Sequence, residues 1–131
     1  MKYIDSSIFI NSALPKEGRY KYKELIEKII SGNEKFATSV LTIDEVIYII
    51  RKEIDIDSSI RIGKDIINMK NLVLLDINQE TILLSLEIIE RYKSYPRDAI
   101  HIACCIQNNI KTIISDDEDF DKIKEIKREK L

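Results

Sequence analysis

Four short apolar runs constrain this chain more than any other feature. They are residues 2–5 (KYID), Phe36–Ser39 (FATS), Leu72–Leu75 (LVLL) and residues 112–115 (TIIS), each too brief for a helix and each ending at or just before a polar residue. The longer stretches between them repeat their apolar residues at helical spacing. Strands buried on both faces read as continuous apolar runs, and strands that alternate with helices are joined by parallel crossovers. The pattern predicts an α/β chain in which residues 1–131 form one domain. Its core is a central, mainly parallel sheet of four to five strands with helices on both faces.

The helical stretches carry their own start and stop signals. Ser6 and Ser7 stand in cap position for a helix over 8–14, and Tyr22, Leu25, Ile26, Ile29 and Ile30 predict one over 19–30 that Gly32 ends. Thr42, with Glu45 three residues on, has the form of a capping box at the head of a helix over 43–51. Ser58 or Ser59 can cap the next, which runs to about residue 70. Asn78 opens a helix over Gln79–Tyr92, and Pro96 takes the first-turn position of another that carries Asp98 and reaches 108 or 109. In the charged tail, 122–131, a short strand near Ile126 is the one further element expected.

Composition narrows the class of protein. With 44% hydrophobic residues the chain can bury a core without disulfides or a structural metal. Lys+Arg at 21 against Asp+Glu at 23 leaves a net charge of -2, so a nucleic-acid partner would have to be met by a local basic patch. Two such patches exist in sequence, Lys16, Arg19, Lys21 and Lys23, and then Lys122, Lys124, Lys127, Arg128 and Lys130. A solvated charged face is the default reading of each. The two cysteines, Cys104 and Cys105, are neighbours and cannot form an ordinary disulfide, which points to core packing in a reducing compartment. Asp5 interrupts the N-terminal apolar stretch and no run approaches the roughly 20 residues of a membrane span, so a cytoplasmic protein without a membrane partner is expected.

The chemistry lies in the acids. In open parallel sheets ligands bind outside the carboxyl ends of the strands. Asp5 follows the first run, Glu45 the second, and Asp117 the fourth, while Asp98 lies in a helix first turn. Taken singly, each acid is more often a helix cap or a dipole partner than a ligand. Gathered on one edge they would repel one another, and a divalent cation with oxygen ligands, Mg²⁺ or Mn²⁺, relieves that. Zinc spacing of Cys and His is absent, as is a calcium-binding loop.

The segments YIDSSIFI, ATSVLTIDEVIYIIRK and PRDAIHIACCIQNNIKTIISDDEDF, in that order and spacing, resemble the PIN domain, in particular the VapC-like ribonuclease toxins. The resemblance spans nearly the whole chain, and its most specific part joins RDAIHIA to IISDDEDF. It implies a three-layer α/β/α sandwich and a Mg²⁺- or Mn²⁺-dependent endoribonuclease that hydrolyses RNA phosphodiesters with a metal-activated water. It further implies a homodimer acting as the toxin of a type II pair, restrained by an antitoxin protein. By the same resemblance Asp5, Glu45, Asp98 and Asp117 match the metal-binding catalytic acids, with Asp5 and Asp98 central. Asp119 and Ser115 would take supporting roles. Two positions depart from the family pattern: Ser115 stands where Thr is usual, and Asp116 where a neutral residue is common. Asp117 is preferred within the acidic run because it keeps register with Phe120.

His101, one turn beyond Asp98, reads as a packed or hydrogen-bonded histidine rather than a catalytic one. Two other functions fit parts of the pattern. One is a PIN-fold RNA-processing nuclease outside any toxin pair. The other, from a different class, is a receiver-like Mg²⁺-binding signalling domain with Asp76 as phosphoacceptor and Lys122 as its lysine, although only one acid follows the first strand and Glu45 and Asp98 would then be idle. A haloacid-dehalogenase-type phosphatase would need Asp-x-Asp where Asp5, Ser6 and Ser7 stand.

Overall fold

In the computed structural model, which describes residues 1–131, all four apolar runs are strands. They are β1 (Lys2–Ile4), β2 (Phe36–Ser39), β3 (Leu72–Leu75) and β4 (Thr112–Ile114); the charged tail supplies β5 (Lys127–Glu129). The sheet order is β3-β2-β1-β4-β5 and every neighbouring pair is parallel. Successive side chains of a strand face opposite ways. Accordingly Tyr3, Ala37, Leu75 and Ile113 enter one core while Ile4, Phe36, Leu72 and Ile114 enter the other. Two covered faces are why β1, β2 and β4 send apolar side chains into both cores, while β3, at the sheet edge, leaves Val73 exposed.

Helices α1 (Ser6–Ala13), α2 (Tyr20–Ser31), α3 (Val40–Glu53) and α4 (Ile56–Ile67) cover the face that holds Ile4 and Phe36. They bury Ile8, Phe9, Leu25, Ile29, Val46, Ile50 and Ile66 against it. The other face is closed by α5 (Gln79–Tyr92) and α6 (Pro96–Gln107), with Phe120 from a 3-10 turn, Glu118–Lys122, sealing the edge. Cys104 and Cys105 are fully buried there as free thiols, as expected of small core residues. The result is the three-layer sandwich, with five strands and no antiparallel pair.

Helix beginnings differ from the sequence expectation in instructive ways. The carboxylate of Asp55, rather than Ser58 or Ser59, caps α4 by accepting from the Ser58 N–H at 2.6 Å. The box of Thr42 and Glu45 does not form, because α3 begins at Val40 directly after β2. Thr42 is then inside the helix, where its buried hydroxyl accepts from Thr38 Oγ1 at 2.6 Å, and Glu45 lies in the second turn. A capping box does exist at α5, between Asn78 and Thr81. The first and fourth strands end one residue early, which leaves Asp5 and Ser115 just outside the sheet.

Topology places the site. The chain steps from β1 to β2 to β3 in one direction and then crosses back to β4 on the other side of β1. That reversal opens a crevice at the carboxyl ends of β1 and β4. An Asp5 N–H to Ile114 O bond of 3.0 Å holds its two lips together.

Truncating Ile50, fully buried on α3, to Ala is expected to cost about 2–5 kcal/mol. Truncating Tyr48, which is 58% exposed on the same helix, should change stability by less than about 0.5 kcal/mol. Urea unfolding of the two variants beside the parent chain checks which face of α3 is buried.

Candidate active site

Asp5 is buried at the head of α1, yet its carboxylate does not cap that helix. Two hydroxyls turn it inward instead: Oδ2 accepts from Ser7 Oγ at 2.8 Å and from Ser115 Oγ at 2.7 Å. The backbone alone supplies the helix start, through Ile8 N–H to Asp5 O. Ser115 Oγ also accepts the Asp117 N–H at 3.0 Å, so one hydroxyl links the acid after β1 to the acid after β4.

Asp98, in the first turn of α6, reaches the same place from the opposite layer. Its carboxylate and those of Asp117 and Asp119 bring one oxygen each to within 4.8 Å of one another. Asp117 is held as an Asx turn, its Oδ1 accepting from the Asp119 N–H at 2.9 Å. Burial, and then the charges of Asp117 and Asp5, push the Asp98 carboxyl up from 3.8 to about 6, against the opposing pull of His101. Three hard oxygen donors in mutual repulsion, with no thiolate or imidazole among them, suit a magnesium-like cation.

Glu45 and Asp5 meet at a histidine. His101 is 1% exposed, and its Nε2 lies 2.5 Å from Glu45 Oε1 and 3.9 Å from Asp5 Oδ1. Its Nδ1 lies 2.6 Å from the Tyr3 hydroxyl, which also accepts the Ser39 N–H at 3.0 Å. Because a carboxylate only accepts, the neutral ring carries its proton on Nε2 toward Glu45 and takes the Tyr3 proton at Nδ1. Burial works against a charged ring here, but the Glu45 hydrogen bond and the charges of Asp5, Glu45 and Asp98 outweigh it and raise the pKa. Tyr3, deep in the core, is kept protonated by burial.

The acids named from the sequence thus fall into two groups that share one edge. Asp98, Asp117 and Asp119 converge directly, whereas Asp5 and Glu45 are joined through His101. Asp116 belongs to neither group and turns toward α1 and α2. His101 as a hydrogen-bonded core residue was legible, but its partners Glu45 and Tyr3 were not. The one local hint is that residues three apart on a helix share a face, which sets His101 beside Asp98. Some cations of the two basic patches are engaged within the chain. Arg128 grips Asp121 with two nitrogens and the Ser115 carbonyl with a third, and Lys21 donates to the Leu131 carbonyl.

Strand order also removes the receiver-like alternative. Asp76 follows β3, which is the sheet edge, with β2 between it and β1, where the crevice opens. A phosphoacceptor there would be remote from the other acids.

The raised Asp98 pKa sets the sign of a pH effect. The unfolded chain releases this proton near 3.8 and the folded one near 6, so the folded state binds more protons in between. Stability is therefore greatest below about pH 4, falls as pH rises to about 6, and is level above that as far as Asp98 is concerned. Asp98→Asn should stabilise metal-free protein at pH 8 by about 1 kcal/mol once solvent screening is allowed for, seen as a higher melting temperature, and should change it little at pH 4. Thermal melts in EDTA at the two pH values test this.

Known proteins bear on the same geometry. A family model described as the PIN domain matches residues 2–126. Ribonuclease VapC6 of Methanocaldococcus jannaschii is 25% identical, over 92% of this chain and 91% of its own. Among solved structures, Mycobacterium tuberculosis VapC20, a sarcin-ricin loop cleaving toxin, superposes with a TM-score of 0.79 at 14% identity, covering 97% of this chain and 99% of that one. A toxin-antitoxin complex from Klebsiella pneumoniae gives a TM-score of 0.70 at 20% identity, over 97% and 96% of the two chains. No helix is long and apolar enough to cross a membrane.

Proposed function

Because the chain belongs to the PIN domain family, we propose that it is a Mg²⁺- or Mn²⁺-dependent endoribonuclease, the toxin of a type II toxin-antitoxin pair, acting in the cytoplasm as a homodimer. The observation that carries this reading is the meeting of Asp98, Asp117 and Asp119 within 4.8 Å, with Asp5 and Glu45 directly behind them on His101. Asp98, Asp117 and Asp119 would hold the cation, with Asp5 steered toward them by Ser115. Glu45 completes the acidic edge. Bound there, the cation supplies Lewis acidity toward a phosphodiester.

The chain's own groups do the rest. Carboxylates alone would repel a polyanion, so an acidic crevice suits RNA only as a cation-binding one. No side chain is poised as a nucleophile. The hydroxyls of Ser7 and Ser115 donate to Asp5, and the Cys104 thiol is pushed up to about 11 by burial, with Cys105 higher still. That inventory favours attack by water, without a covalent enzyme intermediate. His101 keeps Glu45 oriented and holds its proton at Nε2, out of solvent.

Partners have surfaces to meet. Phe9, Ala13, Ile26, Ile30, Ile62 and Met69 line an apolar groove between α1, α2 and α4, which suits an amphipathic antitoxin segment. On the opposite layer, Leu83 and Leu86 of α5 are both 56% exposed, which suits a second copy. The likeness in fold to VapC20, described as a toxin, and to a toxin-antitoxin complex favours the toxin reading over an RNA-processing role.

The test is cleavage of a structured RNA with Mg²⁺, Mn²⁺ or EDTA, beside Asp98→Asn and Asp5→Asn. Cutting should require the cation and fall by about a hundredfold or more in each variant, with circular dichroism unchanged. Cleavage that survives both substitutions would overturn the assignment.

A further inference from the structure

Within the run 116–119, Asp117 and Asp119 meet Asp98 at the crevice, whereas Asp116 turns back toward α1 and α2. Its Oδ2 accepts from the Tyr22 hydroxyl and, at 3.0 Å, from Asn11 Nδ2. Its N–H leans on Ser7 Oγ at 3.4 Å, and Ser7 is the residue that donates to Asp5. Tyr22 is itself fixed. It is buried on α2, and Lys16 and Lys21 place their ammonium groups 5.9 and 5.0 Å from its ring centroid. The other carboxylate oxygen of Asp116, Oδ1, is buried with no partner.

That last detail argues against a purely stabilising role. A buried oxygen without a donor costs about 1–3 kcal/mol, and an apolar residue in this place would avoid the cost. What the arrangement does achieve is directional. With Asp116 drawn toward α1 and α2, Ser115 on one side bonds Asp5 and Asp117 on the other converges with Asp98 and Asp119. Arg128 braces the far side of the same loop through the Ser115 carbonyl and Asp121. Released from Tyr22 and Asn11, the backbone at residue 116 would be free to turn, and Asp117, one peptide unit further along, would turn with it.

We propose that Asp116, clamped by Tyr22 and Asn11, is a positioning residue that presents Asp117 and Asp119 to the cation while taking no part in coordination. This rests on the acidic crevice being the cation site proposed above. The clamp acts before any cation arrives, so it is measurable in metal-free protein as well as in binding.

The experiment is Mn²⁺ titration calorimetry together with amide hydrogen exchange of residues 116–119 in EDTA. Tyr22→Phe removes one donor and little volume. It should weaken Mn²⁺ about tenfold and speed exchange at 116–119, while exchange in the strands keeps its parent rate. Asp116→Asn keeps an oxygen for both donors and should lose far less affinity than Asp116→Ala. Asn11→Ala carries the same test should Tyr22→Phe fail to fold. If Tyr22→Phe and Asn11→Ala both bind Mn²⁺ and exchange like the parent, the clamp is wrong. The crevice reading stands in that case provided Asp98→Asn abolishes Mn²⁺ binding. If the parent binds no Mn²⁺, or Asp98→Asn binds it undiminished, the crevice reading and the clamp fall together.

Discussion

Every functional group at the acidic edge takes its place from the central strand β1, paired in parallel with β2 on one side and β4 on the other. A three-residue strand can hold that position only if both its faces are buried. Tyr3 fills one core and Ile4 the other, each fully enclosed. The chain then leaves β1 at Asp5 and β4 at Ser115, side by side, because the crossover reverses between these two strands. Tyr3 adds a second service. Its hydroxyl, at the bottom of the crevice, receives the Ser39 N–H from β2 and meets His101 from α6, so the strand that positions Asp5 also orients the histidine holding Glu45.

Repulsion among carboxylates is the opposing force, and it shapes the local structure. In the absence of a cation part of the relief comes from a proton that the half-buried Asp98 releases only near pH 6, held there by burial and by Asp117 and Asp5. The helix dipole of α6, whose N-terminus bears Asp98, works in the other direction. A fold selected for stability alone would not gather these groups, whereas one selected to bind a hard cation has to.

The fold was legible because its strongest signals are local. Apolar runs of three or four residues bounded by polar ones gave β1 to β4, and Pro96, Gly32 and Asn78 punctuated the helices where the structure starts or ends them. The cap errors came from reading side-chain spacing without the backbone. Thr42 and Glu45 have capping-box spacing, but β2 runs straight into α3, so the helix starts two residues before Thr42. The crevice itself was legible as a set of acids on one edge. Its internal division was not, because the pair Glu45 and His101 is separated by 56 residues and depends on α3 and α6 meeting from opposite faces of the sheet. The same holds for Asp116, whose partners Tyr22 and Asn11 are 94 and 105 residues away. No local pattern in an acidic run says which member turns back.

The donors that fix these acids share a chemical trait. Ser7 and Ser115 hold Asp5, a backbone N–H holds Asp117, Tyr22 and Asn11 hold Asp116, and a histidine holds Glu45. None is a lysine or an arginine. The Arg128 guanidinium directs its charge at Asp121 and gives the acidic loop only a bond to a carbonyl. A cationic side chain in any of these places would orient a carboxylate equally well, but it would neutralise the charge that a divalent ion needs. Apart from the histidine, whose pKa its acidic neighbours raise, these are neutral donors that fix direction and leave the negative potential intact. The crevice therefore combines rigid geometry with unspent charge, and that combination is what separates an ion-binding acidic cluster from an ordinary network of salt bridges.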